Sequence, residues 1–230
     1  IPSTVDRLNH SDVAVLINAI YFNGTWTEKF NRKYTRLENF QGYTRDIKKV
    51  DMMHQKHQFR YADNSQYSAV ELPYGNGQYS MTVLLPAEGV SIDDMLKQFT
   101  TTELSKLQQQ MTECLVDLKL PRFSTTTKVG LKAPLSNMGA KTMFSDCADF
   151  GRMADAGLFV STMLQKAKIE VSEEGTKAAA TTMAAIALTS LPHEQPRQVK
   201  FYANRPFVYM ITETNTNAIL FIGQYTGGDN

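Results

Sequence analysis

The chain has 230 residues, of which 42% are apolar and 20% charged, a balance typical of globular proteins. Its formal net charge of +1 gives no electrostatic reason to expect nucleic acid or an anionic membrane surface as a partner. No apolar run approaches the length of a membrane-spanning helix, so we expect no membrane partner either.

The first part of the chain predicts strands. The stretch 13–22 is an almost continuous apolar run, which predicts a strand covered on both faces. The stretches 40–60 and 67–85 alternate like antiparallel strands, and a Gly-Asn-Gly sequence at 75–77 predicts a hairpin turn in the second of them.

The rest of the chain mixes helices with further strands. Ser91 is a predicted N-cap for a helix over 91–99, and Gly139 a predicted C-cap for another. The other predicted helices cover about 102–110 and 131–138, and the predicted strands cover 115–123, 158–171, 199–202, 207–212 and 218–224. Because there is no repeat and no linker, we expect a single domain, residues 1–230, of the α+β class.

Side chains that could support catalysis are few. The histidines are His10, His54, His57 and His193. His54 and His57 are three residues apart on a predicted strand and so point to opposite faces. The chain has no GxSxG motif, no phosphate-binding glycine loop and no CxxC pair, so we predict neither an enzyme nor a metal site. Cys114 and Cys147 are predicted to be free thiols, buried or half-buried.

The most informative stretch begins at Gly175, which follows two glutamates and precedes a run of small residues, 176–187. The composition of this run favours a helix. A second pattern suits a strand, in which alternate side chains share a face. Lys177 falls on one of the two faces. The residues of the other face are all uncharged: Thr176, Ala178, Ala180, Thr182, Ala184, Ile186 and Leu188. As a strand, the run can enter a sheet without pointing a charge into the core. A segment that suits both environments indicates a chain that changes conformation.

Several motifs in this chain resemble the serpin family. EEGTKAAATT resembles the family's hinge, and FYANRPF resembles the signature that follows its reactive loop. VLINAIYFNGTW (with Thr35 and Phe40 beyond it), LKLPRFS, LSNMGAKTMF and ILFIGQY are similar to other serpin motifs in the same order. The resemblance covers about 13–225. It implies the serpin fold, a mixed central sheet with smaller antiparallel sheets and helices.

A complete serpin is longer, so the resemblance implies that this chain is the C-terminal portion and lacks the N-terminal helical part. That missing part is an expected partner.

Two non-inhibitory alternatives stay open: a serpin that acts as carrier, chaperone or storage protein, or an unrelated β-rich interaction protein. The resemblance also suggests an extracellular or secreted protein and implies no cofactor.

The resemblance further implies a serine protease inhibitor that acts as a suicide substrate, with its hinge and reactive loop at about 172–198. The implied hinge residues are Glu173, Glu174, Gly175, Thr176, Lys177, Ala178, Ala179, Ala180, Thr181 and Thr182. Counting from Gly175 as the family does, the protease cuts between Thr189 and Ser190, or after Leu188 if the register slips by one.

The loop composition limits the target protease. No Lys or Arg occurs between Lys177 and Arg197, which disfavours a trypsin-like enzyme. Thr189 suits the shallow pocket of an elastase-like or subtilisin-like protease, whereas Leu188 as bait would suit a chymotrypsin-like one. Cysteine proteases stay open as targets.

A sheet-opening region is also implied by the resemblance, with Asn18, Trp26, Arg122 and Gln165 as members. Gln165 stands where many serpins have a histidine, so we expect no pH control at that position. Arg122 is expected to pair with Glu173 at the top of the main sheet.

Overall fold

The computed structural model describes residues 14–153, 157–175 and 196–228. The strands are β1 (Val15–Tyr21), β2 (Arg36–Gln41), β3 (Ile47–Asp63), β4 (Tyr67–Tyr74), β5 (Tyr79–Pro86), β6 (Thr112–Pro121), β7 (Phe123–Gly130), β8 (Thr162–Val171), β9 (Gln198–Tyr202), β10 (Phe207–Glu213) and β11 (Ile219–Tyr225). The helices are α1 (Ile92–Gln98), α2 (Thr101–Gln110) and α3 (Lys132–Asn137), with short 3-10 helices at Arg32–Tyr34 and Thr142–Phe144. The predicted α+β class is confirmed.

The described residues form two compact units, and the first comprises 14–22 and the described part of 124–169. Its sheet has the strand order β1–β8–β7, and β1 runs parallel to β8. The prediction that the first strand is covered on both faces is wrong, since Leu16 and Ile17 are exposed. Among the described residues β1 pairs with β8 alone, so its other edge and much of its faces stay uncovered.

The second unit comprises 23–123 together with the described part of 170–229. Its eight-stranded sheet follows the order β11–β10–β5–β4–β3–β6–β9, and β2 pairs with β3 beside that path. β3 is 17 residues long and changes partner along its length, from β2 to β6 and then to β4. This long strand therefore pairs with three neighbouring strands of the sheet.

The hydrophobic core of the second unit lies around the central strands of this sheet. β5 and β10 are buried along almost their whole lengths, as expected of strands covered on both faces. Met95 of α1 and Leu107 of α2 pack against Leu84 and Met210 of these strands. The hydroxyl of Ser91 accepts a hydrogen bond from the Asp94 amide at 3.1 Å, which confirms the predicted N-cap of α1.

A strand was missed, and one smaller prediction was wrong. β7 was not predicted, because its run of Ser and Thr has no alternation of apolar and polar residues. The two thiols are free, and Cys114 is buried in β6 as predicted, but Cys147 is exposed. Cys147 follows a 3-10 helix of which only Phe144 is buried, so nothing there covers its side chain. In the part of the chain described, no helix is long and apolar enough to cross a membrane.

Candidate functional site

The predicted hinge begins with a tight turn, residues 172–175, which we call the hinge turn. The Ser172 amide donates to the Gly175 carbonyl at 2.9 Å, and the Gly175 amide donates back to the Ser172 carbonyl at 3.1 Å. The Ser172 hydroxyl donates to the same Gly175 carbonyl at 2.9 Å. Gly175 has a φ of +118°, a backbone angle that residues other than glycine rarely adopt. The turn therefore requires glycine at its last position.

Close packing imposes the same requirement on Gly175. A Cβ at this position would lie 2.3 Å from the Gly24 carbonyl oxygen and 2.6 Å from the Trp26 nitrogen, closer than real Cβ contacts. Both atoms belong to the backbone, so neither can rotate away. The backbones of Gly175 and Gly24 can approach this closely only because Gly175 has no side chain.

The chain that follows β1 fastens the hinge turn through three hydrogen bonds. The Trp26 amide donates to the Glu174 carbonyl at 3.1 Å, and the Phe30 amide donates to the Glu173 carbonyl at 3.0 Å. The indole Nε1 of Trp26 donates to the Ser172 carbonyl at 2.8 Å. Carbonyls of three of the four turn residues are thus bound by one short segment.

We call this segment, residues 24–30, the anchor segment. Within this segment, Trp26 is only 2% exposed. The Trp26 ring stacks on Tyr74 with centroids 4.3 Å apart and meets Phe30 edge-on at 6.3 Å. These contacts fix the indole in the orientation that places its N–H against the hinge turn.

Glu173 contributes a buried carboxylate, only 2% exposed, to the same site. The Thr35 hydroxyl donates to Glu173 Oε1 at 2.8 Å, whereas Arg122 Nη1 lies 4.0 Å from that oxygen. The Arg122 guanidinium hydrogen-bonds to Asp51 instead. The expected partners Glu173 and Arg122 are therefore near each other, but the direct partner of the carboxylate is Thr35.

The other glutamate of the turn, Glu174, faces the anchor segment. Its Oε2 lies 2.9 Å from Nζ of Lys29, at the distance of an ion pair but without the alignment of a hydrogen bond. Both side chains are about 30% exposed, and such pairs typically contribute about 0–1 kcal/mol. This ion pair therefore adds little to the backbone hydrogen bonds that hold the hinge turn.

The remaining expected site residues fall into two groups. Asn18 and Gln165 lie opposite each other on β1 and β8, in the first unit, while Trp26 and Arg122 lie near the hinge turn in the second. Outside the described residues lie Thr176, Lys177, Ala178, Ala179, Ala180, Thr181 and Thr182 of the hinge, the alternative bait Leu188, and the bond Thr189–Ser190.

Polar contacts fasten both ends of β9, the first strand after the loop. At its start, Arg197 forms two hydrogen bonds with Asp63, each 3.0 Å long. At its end, the Tyr202 hydroxyl donates to Asp117 at 2.7 Å, and His54 Nε2 lies 2.7 Å from the other carboxylate oxygen. The hydrogen bond to Asp117, with some burial, raises the pKa of Tyr202 to about 12. Burial alone would raise the pKa of Asp117, but the hydrogen bonds from Tyr202 and His54 outweigh it and lower that pKa.

Sequence reasoning missed the partners of the hinge turn. The Trp26–Ser172 bond joins residues 146 apart, and the Thr35–Glu173 bond joins residues 138 apart. Only the resemblance to a family motif had drawn attention to Thr35, and it assigned no partner. In the described ranges no group of three or more His, Cys, Asp or Glu side chains is placed to hold a metal ion.

The mixed sheets and the few helices define a protein of the α+β class. The chain matches the family model described as "Serpin (serine protease inhibitor)" over residues 1–227. The chain therefore belongs to the serpin family.

Three similar proteins illustrate this relationship. Iris of Ixodes ricinus is 37% identical over 226 residues, covering 96% of this chain and 59% of Iris. Serpin B3 of Homo sapiens is 38% identical over 225 residues, covering 96% of this chain and 57% of Serpin B3. The structure of human thyroxine-binding globulin in complex with thyroxine aligns with a TM-score of 0.83 at 27% identity, covering 99% of this chain and 59% of that one. The chain thus spans less than two thirds of each relative.

Proposed function

We propose that the protein containing this chain inhibits a serine protease by acting as its suicide substrate. The observation that supports this most directly is Gly175, the end of a fastened turn and the start of a run whose one register is uncharged. Such a run can enter a sheet at low cost, whereas burying an unpaired charge costs several kcal/mol. Membership of a family described as serine protease inhibitors agrees with this proposal.

In the proposed mechanism the protease serine attacks the carbonyl carbon of Thr189. The bond to the Ser190 nitrogen breaks, Ser190 leaves as a free amine, and Thr189 stays bound to the protease as an ester. The residues from Thr176 to about Leu188 then enter the main sheet as a new strand, which moves the tethered protease and distorts its active site before the ester is hydrolysed. The hydrogen bonds of the anchor segment to the hinge turn are positioned to influence when that entry begins.

The proposed target is an elastase-like or subtilisin-like protease, because Thr189 is small and uncharged. The experiment is to mix the full-length protein with such a protease and to separate the products in SDS. We expect a covalent complex that survives the detergent. The variant Thr189→Arg should lose this complex with elastase-like proteases and form one with a trypsin-like protease instead.

A carrier function is the second candidate, and the similarity to thyroxine-binding globulin is the observation that favours it. A carrier would be cleaved in its loop and released. Complete cleavage of the full-length protein with no covalent complex would therefore contradict inhibition and support the carrier alternative.

A further inference from the structure

The chain contains two Asn-Gly pairs, Asn23-Gly24 and Asn76-Gly77, and both asparagines are exposed. In such a pair the backbone nitrogen of the glycine can attack the asparagine side chain, because glycine has no Cβ to hinder the approach. Whether this reaction occurs in a folded chain depends on whether that nitrogen and that side chain are already bound.

In the second pair the reacting groups are bound. The Gly77 amide donates to the Tyr74 carbonyl at 2.8 Å within the hairpin turn. The Asn76 side-chain oxygen accepts a hydrogen bond from the Gln78 amide at 3.2 Å. The turn must open before the Gly77 nitrogen can reach the side chain of Asn76.

In the first pair the corresponding groups are available. Asn23-Gly24 lies between the end of β1 and the isolated bridge from Thr25 to Gly175. Within the described ranges, neither the Gly24 amide nor the Asn23 side chain takes part in a hydrogen bond. Exposure is similar for both pairs, so this difference in hydrogen bonding separates them.

We propose that Asn23 is a site of spontaneous deamidation in the folded chain. The Gly24 nitrogen gives up its proton and attacks the side-chain carbon of Asn23, and the side-chain amide leaves as ammonia. Water then opens the resulting five-membered imide at either carbonyl. Attack at the side-chain carbonyl gives aspartate, and attack at the backbone carbonyl gives isoaspartate. The net reaction consumes one water and releases one ammonia, with no oxidation or reduction.

The consequence concerns the hinge turn. The carbonyl oxygen of Gly24 and the nitrogen of Trp26 are the atoms that a Cβ at position 175 would meet first. Isoaspartate at position 23 lengthens the backbone by one carbon immediately before Gly24. The anchor segment must then shift against a partner that leaves no room, and its hydrogen bonds to the hinge turn weaken. Deamidation of Asn23 therefore loosens the hinge turn as the protein ages.

The test is to incubate the folded full-length protein at mildly alkaline pH and to follow both asparagines by peptide mass spectrometry, with isoaspartate measured separately. Asn23 should react at least about fivefold faster than Asn76, because two hydrogen bonds must break before Asn76 can react. In the denatured chain the two rates should become similar, since both sequences are Asn-Gly. Equal rates in the folded chain, or a faster reaction at Asn76, would overturn the proposal.

Trp26, compared between the wild type and Asn23→Gln, reports the structural consequence. Its fluorescence should change in step with the Asn23 product, because its indole bonds to the hinge turn. The change should persist in Asn76→Gln and be absent in Asn23→Gln. A fluorescence change that also develops in Asn23→Gln would refute the link to the hinge turn. None of these measurements depends on protease inhibition.

Discussion

Gly175 meets two separate demands, a positive φ and a backbone contact with Gly24, and the two can be distinguished by mutation. Gly89 has a φ of +83° but an added Cβ there would meet nothing within 4 Å. A substitution at Gly89 therefore meets only the unfavourable φ, whereas a substitution at Gly175 meets both the unfavourable φ and the clash with Gly24.

We expect Gly175→Ala to destabilise the protein by more than Gly89→Ala. The unfavourable φ alone costs about 1–3 kcal/mol at either site. The clash with the anchor segment adds to this at Gly175 only. Urea unfolding of the two variants and the wild type measures the difference. Equal losses of stability would mean that the hinge turn relaxes freely away from Gly24.

At Glu173 the hydrogen bond and the ion pair predict different mutational effects. Thr35→Val leaves the buried carboxylate without its donor, and such a loss costs about 1–3 kcal/mol. Arg122→Ala removes a half-exposed partner 4.0 Å away, and pairs of this kind contribute about 0–1 kcal/mol. Thr35→Val should therefore lower the free energy of unfolding more. Because Arg122 also bonds to Asp51, Asp51→Ala is the control; a larger effect of Arg122→Ala with little effect of Asp51→Ala would reverse the assignment of the main partner.

Single residues show how far the sequence alone could go at the site. The place of Gly175 in the hinge and the expected pairing of Arg122 with Glu173 came from a family resemblance. The role of Thr35 could not be derived, because its partner lies 138 residues away and a threonine in a polar stretch gives no signal of its own.

At the scale of elements, the proposed new strand makes the most specific prediction. Thr176→Arg would place a guanidinium in the register expected to face the core, so insertion should slow while acylation at Thr189 continues. Lys177→Glu changes the opposite register and serves as the matched control. The measurement is moles of inhibitor consumed per mole of protease inactivated. We expect a clear rise for Thr176→Arg and little change for Lys177→Glu; equal values for Thr176→Arg and wild type would contradict insertion in this register.

β9 offers a prediction that depends on pH. The pKa of Tyr202 is raised from 10.0 to about 12, so its bond to Asp117 stabilises the folded chain fully below about pH 10 and is lost as the pH rises through about 12. Asp117→Asn removes the negative acceptor and should move the Tyr202 pKa back toward 10. Asp63→Asn, at the other end of β9, is the control and should leave it unchanged. NMR of ring-labelled tyrosine follows this titration, and an unaltered Tyr202 pKa in Asp117→Asn would exclude the carboxylate as its cause.

Elements with strong local signals were predicted well. The hairpin at 75–77 and the cap of α1 follow from turn and capping residues, and strands β4 to β6 and β9 to β11 overlap their predicted ranges, whereas β2 was missed. β7 and the exposed faces of β1 were not predicted, for different reasons. The Thr-rich sequence of β7 has no periodicity, and the burial of β1 depends on neighbours that its own sequence cannot specify.

At the scale of the whole molecule, the exposed apolar side chains of two strands bear on its tendency to associate. Ile17 of β1 is 52% exposed, and Ile222 of β11 is 64% exposed at one end of the strand path of the second sheet. Exposed apolar edges of this kind favour association. Both units therefore present surface that a stable monomer in water would cover.

We expect the 230-residue chain, produced alone, to bind a dye specific for exposed apolar surface and to self-associate. Ile222→Lys should lower both signals, because it places a charge on the exposed edge. Met138→Lys, which replaces an even more exposed apolar side chain outside the sheets, is the control and should have less effect. Light scattering and dye fluorescence measure the two signals. A monomeric chain that unfolds cooperatively and binds no dye would contradict this expectation.

The two thiols differ in accessibility, and this gives the chain a built-in attachment point. Cys147 is exposed and Cys114 is enclosed within β6, so a maleimide probe should modify the folded chain once, at Cys147. After denaturation the same reagent should modify the chain twice. The number of labels per chain, between one and two, thus reports the fraction of folded molecules. No mutation has to be introduced for this measurement.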